Sequence, residues 1–395
     1  MTRGRIAFFA LSLLVVTTIL SGGLFAAAAR HSDQAPAKDS LYKYLSVFSE
    51  VLNLVRQRYV EPTKVETLMA GALDGATDAL DPFSTYIPPD QVEGFLAARA
   101  IGNRRTGLTL VRQGGVAFVV ATVPGSPAAK AGLQPGDVVA KVDKASTRRS
   151  PVWKIEEMLA GPTGSQIPIE VMRHGSTKQL KLEFEDFTPP SPTLKDHDGV
   201  PVLRIPVISA DSADKVTSLV AELRKKEAKR LLVDLRGTAG GDDLAAYKIG
   251  ELFAHGTLGK LVVRDKAVKT FSSEDVRPAL SLVVLIDHGT LGAAEIVASI
   301  LKQGVGAKLV GQETFGYAGR QALANVGEGG KLLYTDAYYS GPDGQPIDDS
   351  VEPDVEVTAA SRTFAEKDES IEDLILDRGL KTLTSEPAPE MKKAA

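Results

Sequence analysis

Residues 281–321 read SLVVLIDHGTLGAAEIVASILKQGVGAKLVGQETFGYAGRQ, and this stretch decides the fold. Its first part, residues 281–287, is nearly continuous in apolar and β-branched residues, which is typical of a strand buried on both faces of a parallel sheet. A glycine-containing turn follows, and from Ala293 apolar residues recur at helical spacing until Gly304. Residues 307–310 then predict a second strand. The order strand, turn, helix and strand predicts a βαβ unit.

The turn of this unit is the predicted position of a reaction centre, because parallel sheets bind ligands at the carboxyl ends of their strands. The first free N–H groups of the helix can stabilise an oxyanion there, and a side chain on a tight turn is exposed. A nucleophilic enzyme would place Ser, Thr or Cys on the turn. This chain instead has Leu291, Gly292, Ala293 and Ala294.

The stretch resembles the C-terminal processing (tail-specific) serine protease family, whose signature is Gly-Thr-Ala-Ser-Ala-Ser-Glu-Ile followed by Gly-x-x-Thr-Phe-Gly-Lys-Gly-x-x-Gln. The matching residues are Gly289, Thr290, Glu295, Ile296, Gly311, Thr314, Phe315, Gly316 and Gln321. The position of the family's nucleophilic serine is Gly292, and the position of its lysine base is Tyr317. Covalent acyl transfer by a Ser/Lys pair needs both members, because the neutral lysine accepts the hydroxyl proton. Of the family's functional side chains only Gln321, at a position used to orient the pair, is present.

A second glycine-rich segment, DLRGTAGG at residues 234–241, resembles the family's Asp-Leu-Arg-x-Asn-Pro-Gly-Gly. In the family this backbone contributes to the oxyanion hole. The resemblance therefore implies that Gly240 and Gly241, together with Ala293 at the start of the helix, are oxyanion-hole candidates. Glycine here can equally serve close packing of a helix on a strand, because both uses need an absent side chain.

Residues 94–187 change to short β-runs, and SPAAKAGLQPGDVVAKVD at residues 126–143 is similar to PDZ domains of the bacterial protease type. PDZ domains bind the free carboxyl end of an extended peptide, which adds a strand to a sheet edge while loop N–H groups hold its carboxylate. The candidate peptide-binding residues that the resemblance implies are Thr106, Gly107, Leu108, Thr109 and Leu110. A PDZ domain that only packs against its neighbour, with the groove unused, is the alternative.

The amino-terminal segment has the layout of an export signal. Residues 6–29 carry no charge and follow the basic residues Arg3 and Arg5. Their length can span a bilayer, whereas Ala27-x-Ala29 offers a cleavage site, so both a cleaved signal peptide and a retained anchor remain open. Either way we expect the remainder outside the cytoplasm, in the cell envelope, as a periplasmic or membrane-anchored protein.

The composition excludes several classes of function. A formal net charge of -4 without a strongly basic block does not favour nucleic acid as a partner. The absence of cysteine excludes disulfides, thiolate catalysis and Cys-based metal sites. The five histidines have no metal-ligand spacing, so neither a metal nor a cofactor is expected.

With 395 residues, 43% hydrophobic and 24% charged, the chain is expected to be a multi-domain α+β protein. A proline-rich segment marks one domain boundary. The expected parts are a signal peptide or anchor at 1–30, an N-terminal helical segment at 41–93, a PDZ domain at 94–187, a linker at 188–199, a protease-like α/β domain at 200–383 and a flexible tail at 384–395.

Two functional hypotheses follow. The first is a non-catalytic relative of the tail-specific proteases that binds C-terminal ends of proteins or peptides, and that acts as an adaptor or regulator of proteolysis, for instance beside an active relative. The second is an active serine-type endopeptidase that uses Thr290 as a substitute nucleophile, with His288, Lys302 or Lys308 as its base. The first is favoured, because a nucleophile moved along a tight turn also needs its base and its oxyanion donors to move.

Overall fold

The computed structural model describes residues 36–101, 105–275, 280–358 and 371–385. The expected signal peptide or anchor at 1–30 and nearly all of the expected tail lie outside these residues. The chain divides into two compact units, residues 1–72 and residues 73–395. Across the described ranges no helix combines the length and the apolar character needed to cross a membrane.

Two helices open the described chain, namely α1 at Pro36–Arg58 and α2 at Val65–Asp78. Helix α1 begins before residue 41, where the N-terminal helical segment was expected to start. A short strand β1 at Thr85–Ile87 and helix α3 at Val92–Ile101 follow.

The PDZ domain is confirmed as a five-stranded sheet with one additional short strand. Its strands run in the order β2-β3-β4-β6-β7, and β5 pairs only with β4. Strand β2 therefore lies on the edge of the sheet and pairs only with β3. The elements are β2 at Leu108–Gln113, β3 at Val116–Thr122, α4 at Pro127–Lys130, β4 at Val138–Val142, β5 at Ala145–Ser146, α5 at Val152–Met158, β6 at Gln166–Arg173 and β7 at Ser176–Glu183.

The remaining chain forms the protease-like domain. Its elements are β8 at Thr193–His197, β9 at Val200–Arg204, α6 at Ala210–Lys225, β10 at Arg230–Asp234, α7 at Asp243–Gly250, β11 at Gly256–Val263, β12 at Lys266–Ser273, β13 at Ser281–Ile286, α8 at Ala293–Val305, β14 at Lys308–Gly311, β15 at Gly319–Val326, β16 at Gly330–Tyr339, β17 at Val355–Glu356 and α9 at Ile371–Ser385.

The central sheet has the strand order β17-β14-β13-β10-β9-β8, and all neighbouring pairs are parallel except β8 with β9. The βαβ unit predicted from residues 281–310 is confirmed as β13-α8-β14. Strand β13 is buried on both faces because α7 and α8 contribute to the core on one side and Ile375 and Leu383 of α9 pack on the other. The turns after β10 and β13 therefore meet at the carboxyl edge of the sheet.

A second sheet runs β1-β16-β11-β12, with β15 also paired to β16. Strands β11, β12 and β15 were not foreseen. Strand β1 joins the protease-like domain by pairing antiparallel with β16, although it comes from the segment expected to be helical. The expected linker at 188–199 is shorter than predicted, because residues 193–197 form β8 and pair with β9.

Candidate functional site

Asp287 joins the two loops at the carboxyl edge of the central sheet. Its Oδ1 accepts hydrogen bonds from the N–H groups of Gly237 (2.8 Å) and Gly289 (3.0 Å) and from the Thr290 hydroxyl (3.2 Å). Burial raises the pKa of Asp287, although the hydrogen bonds from Gly237 and Thr290 act in the opposite sense. The loop after β10 and the loop after β13 are thereby held as one surface.

Gly292, the residue at which the resemblance implies the family's nucleophile, lies directly before α8. Its backbone has φ 67° and ψ -117°, a conformation that strongly favours glycine. A Cβ added here would lie 3.5 Å from the Cα of Gly240 and 3.8 Å from the carbonyl oxygen of Tyr317. The turn therefore has room for a side chain at this position, although glycine provides none.

Glu295 holds the turn against the segment that follows β14. Its buried carboxylate accepts hydrogen bonds from the N–H groups of Gly292 (2.8 Å) and Tyr317 (2.9 Å), and also from the Thr314 hydroxyl and the Gly316 N–H. Burial raises the pKa of Glu295, and the four hydrogen bonds oppose that shift. The frame predicted from the Glu and the Thr-Phe-Gly motifs is thus a single hydrogen-bonded unit.

Tyr317 is the residue at which the resemblance implies the family's lysine. Its ring is 8% exposed and stacks on Phe83, with ring centroids 4.0 Å apart and planes inclined by 28°. Its hydroxyl shares a hydrogen bond with Thr335 Oγ1, which donates to Asp81 Oδ2 (2.9 Å). Burial raises the pKa of the Tyr317 hydroxyl, and the hydrogen bonds to Thr335 and Gln321 only partly oppose this. A neutral phenol therefore stands where the resemblance places a base.

Gln321, the one functional side chain of the family that is present, contacts the same aromatic pair. Its Nε2 donates to the backbone carbonyl of Phe83 (2.9 Å). Asp81 fixes the turn before Phe83 by accepting from the N–H groups of Phe83 and Ser84 (2.8 Å each). The sequence analysis assigned no function to this segment.

The oxyanion-hole candidates differ in their availability. The Gly240 N–H donates to the carbonyl of Leu291 (3.1 Å), and is therefore engaged. A Cβ at Gly241 would lie 2.5 Å from the carbonyl oxygen of Ile208, so glycine there serves close packing, which was the alternative interpretation. Ala293 is the first residue of α8, where the N–H has no intrahelical acceptor.

The substitute nucleophile, Thr290, is fully buried. Its hydroxyl is within hydrogen-bond distance of the Leu235 carbonyl and of Asp287 Oδ1 (3.2 Å each). Of the conceivable bases, Lys302 donates to the carbonyl of Glu352 (2.8 Å), and His288 is exposed. Lys308 is also exposed, and none of the three conceivable bases forms a hydrogen bond with the Thr290 hydroxyl in the described part of the chain.

The PDZ domain packs on the turn. Val111 and Val120 form one buried cluster with Leu291 and Tyr317. A Cβ at Gly289 would lie 3.2 Å from the carbonyl oxygen of Val120, so the backbones approach closely. The PDZ sheet and the candidate reaction centre are therefore one contiguous structure.

The candidate peptide-binding residues border a cavity of about 340 Å³ between edge strand β2 and helix α5. Leu108, Thr109 and Leu110 line it on the β2 side. In the preceding loop, Gly107 has φ 63°, and the Leu108 N–H donates to the Thr106 hydroxyl (3.3 Å). Phe83 and Gln321 also line this cavity.

Comparison with known proteins agrees with this architecture. The profile of peptidase family S41 matches residues 199–357, and that of a PDZ domain matches residues 118–173. The photosystem II D1 C-terminal processing protease has the same fold, with a TM-score of 0.64 and 23% sequence identity over 78% of this chain and 92% of that one.

Two curated bacterial relatives align over most of the chain. The carboxy-terminal processing protease CtpA of Bacillus subtilis (strain 168) is 29% identical over 301 residues, which is 74% of this chain and 64% of the relative. A probable CtpA-like serine protease of Staphylococcus aureus (strain N315) is 26% identical over 323 residues, which is 79% of this chain and 64% of the relative. The chain thus spans slightly less than two thirds of the length of these relatives. Together with the two domain matches, the frame of Glu295 and the Thr-Phe-Gly segment makes this chain similar to the C-terminal processing proteases, with a PDZ domain ahead of an S41 peptidase domain.

Proposed function

We propose that this protein is an exported, non-catalytic member of its family that binds the C-terminal ends of proteins through its PDZ domain and acts as an adaptor or regulator of proteolysis. The observation that carries the proposal is the pair of replaced positions. Gly292 offers no nucleophile, and Tyr317 offers a buried neutral phenol instead of an amine.

The chemistry of acyl transfer explains why these replacements matter. A Ser/Lys pair attacks the peptide carbonyl with the hydroxyl oxygen while the neutral amine takes its proton, so the loss of either member removes the step. At this site both are absent, and the Phe83 ring occupies the space beside the Tyr317 ring. The Gly240 N–H, one of the expected oxyanion donors, is also engaged with the Leu291 carbonyl.

The PDZ groove supports a binding role. Strand β2 pairs with β3 on one side only, so its other edge can accept an extended peptide. The loop from Thr106 to Leu108 precedes this edge, and the cavity beside β2 can receive side chains of the peptide.

Export completes the proposal and rests on the sequence of residues 1–30. A protein with this segment would meet unfolded or processed protein ends outside the cytoplasm. A catalytically active relative in the same compartment is the partner that a non-cleaving binder of protein ends would regulate, by presenting or by withholding those ends.

Activity is tested on the full-length chain with a serine-directed fluorophosphonate probe and with an unfolded protein substrate that has a nonpolar C-terminus. We expect neither labelling nor cleavage for the natural sequence. The double variant Gly292→Ser, Tyr317→Lys should be labelled, and the matched control Gly292→Ala, Tyr317→Lys should not. Turnover by the natural sequence that is abolished by Thr290→Val would refute the proposal in favour of a substitute nucleophile.

Binding is tested separately by measuring the affinity for one peptide with a free terminal carboxylate and with that terminus amidated. We expect amidation to weaken binding, because the loop N–H groups then lose a charged acceptor. Equal affinity for both forms would contradict recognition of peptide ends.

A further inference from the structure

The PDZ groove contains a carboxylate without a partner. Glu156 of α5 lines the cavity opposite Leu108 and Leu110 of β2. Neither a hydrogen bond nor an ion pair joins its side chain to another residue in the described part of the chain, whereas its neighbour Glu157 pairs with Lys154 (2.5 Å). Burial raises the pKa of Glu156 to about 7, which reflects the cost of holding an unpaired charge away from water.

A second polar group in the same cavity also lacks a partner. Trp153 is 5% exposed and lines the cavity, and its buried indole Nε1 has no acceptor among the described residues. Because buried polar groups are normally hydrogen-bonded, this indole marks an unsatisfied position beside the groove, while the half-buried Glu156 carboxylate is the group that a ligand can reach.

The orientation of α5 fixes which part of a peptide meets Glu156. Arg105 Nη1 donates to the carbonyl of Gly161 (2.9 Å), so the loop before β2 lies at the carboxyl end of α5. A peptide whose carboxylate is held by that loop has its last residue at this end of the helix. Glu156 is closer to this end than Val152, which lies one turn earlier on the same helix face and lines the same groove.

The spacing of the helix matches that of an extended peptide. Four helical residues rise about 6 Å, and two residues of a strand rise about 6.6 Å. The last side chain of the peptide therefore faces Glu156, and the side chain two residues earlier faces Val152. The side chain between them points to the other face of the added strand.

The other charged groups that line the groove do not neutralise Glu156. Arg112 of β2 is engaged by Asp74 (2.8 Å) and Asp78 (3.1 Å) of α2. Arg99 of α3 is exposed at the rim, where its guanidinium lies 6.0 Å from the centroid of the Phe95 ring. The Glu156 carboxylate therefore lacks a cation or a hydrogen-bond donor inside the groove.

We propose that this groove is specific for protein ends whose last residue is lysine or arginine, with an apolar residue two positions earlier, and that Glu156 determines this specificity. The inference rests on the proposed binding of peptide ends. A terminal ammonium or guanidinium group would form a charge-assisted hydrogen bond with Glu156, while Val152 would contact the apolar side chain.

The test compares four peptides of equal length at pH 8 by fluorescence anisotropy with the full-length chain. One ends in Lys, one in Met, one carries Lys at the next-to-last position and ends in Met, and one is the Lys-ended peptide with an amidated terminus. We expect the Lys-ended peptide to bind about tenfold more tightly than the Met-ended one, since a hydrogen bond between charged groups is worth at least that factor. Lysine at the next-to-last position should bring no gain, and amidation should abolish the preferred binding.

Glu156→Gln should lower the affinity for the Lys-ended peptide to that for the Met-ended one. Glu157→Gln is the matched control, because Glu157 is adjacent but does not line the groove, and it should leave the preference unchanged. Lowering the pH from 8 to 5.5 should also reduce the preference in the natural sequence, as Glu156 gains a proton. The same pH change applied to Glu156→Gln measures how far Asp78, Arg99 and Arg112 contribute to the pH dependence. We expect the affinities of this variant for the Lys-ended and Met-ended peptides to stay equal.

The outcomes separate the two proposals. Equal affinity for the Lys-ended and Met-ended peptides, both dependent on a free carboxylate, overturns the specificity and leaves the binding of peptide ends intact. A lysine preference that survives Glu156→Gln overturns the role of Glu156. If no peptide binds in a carboxylate-dependent way, the proposed function fails as well.

Discussion

The backbone at Gly292 gives a stability prediction that bears directly on the missing nucleophile. Replacement by alanine adds a Cβ whose nearest neighbour, the Cα of Gly240, is 3.5 Å away, so no clash is expected. The cost comes from the positive φ of 67°, about 1–3 kcal/mol, and it is offset by about 0.4–1 kcal/mol because the unfolded chain loses freedom. We therefore expect Gly292→Ala to lower the free energy of unfolding by about 1–2 kcal/mol.

For a domain of this size that loss corresponds to a fall in Tm of roughly 2–8 °C, measured by differential scanning fluorimetry or calorimetry. Gly306→Ala, at the other end of α8 with φ 72° and no atom near its added Cβ, is a matched control for backbone strain alone. Gly316→Ala adds a clash, because its Cβ would lie 2.4 Å from the backbone nitrogen of Ser350, and it should cost clearly more.

Gly292→Ser should lower the free energy of unfolding by about as much as Gly292→Ala. The new hydroxyl should not be activated, because Tyr317 provides no base for it. If Gly292→Ala were as damaging as Gly316→Ala, the turn would have no room for a side chain, and the reasoning about a vacated nucleophile position would be wrong. A gain in stability would instead show that the turn is not strained. The expected intermediate loss would mean that a serine at this position carries a strain which glycine relieves.

Three further predictions concern the frame, the PDZ core and the pH dependence. Glu295→Gln should lower the free energy of unfolding by about 2–4 kcal/mol in calorimetry, because an amide nitrogen then faces N–H and O–H donors. The exposed control Glu328→Gln should change it little, and equal effects of the two variants would contradict the role of the buried carboxylate. Asp137→Asn breaks the buried pair with Arg173 (2.6 Å) and should cost about 3–5 kcal/mol, so a loss below 1 kcal/mol in chemical denaturation would refute that pairing. Burial, with the neighbouring Asp242, raises the pKa of Asp243 to about 7, so its contribution to stability is complete below pH 3.8 and is lost as the pH rises through 7. Asp243→Asn should therefore raise Tm at pH 8 and leave it unchanged near pH 4, and the reverse order would show that the sign is wrong.

Much of the frame could be predicted from the sequence because its signals are local. The apolar run of β13, the helical spacing of α8 and the PDZ segment at residues 126–143 each record burial or turn geometry within a few residues. The same local reading placed Gly292 and Tyr317 at the replaced catalytic positions. It missed β8 inside the expected linker and β11, β12 and β15, because an edge or half-buried strand of mixed polarity is fixed by its partner strand rather than by its own composition.

Short sequence patterns were enough to predict the PDZ domain, the βαβ unit and the residues Gly292 and Tyr317 at the positions where the resemblance implies a nucleophile and a base, since each depends on the identity of neighbouring residues. The surroundings of these residues follow only from the folded domain. The stacking of Tyr317 on Phe83, the bond from Gln321 to the Phe83 carbonyl across 238 positions of sequence, and the unpaired Glu156 beside β2 all join residues that are far apart in the chain. Such contacts result from packing, and packing depends on the shape of the whole domain rather than on any short pattern.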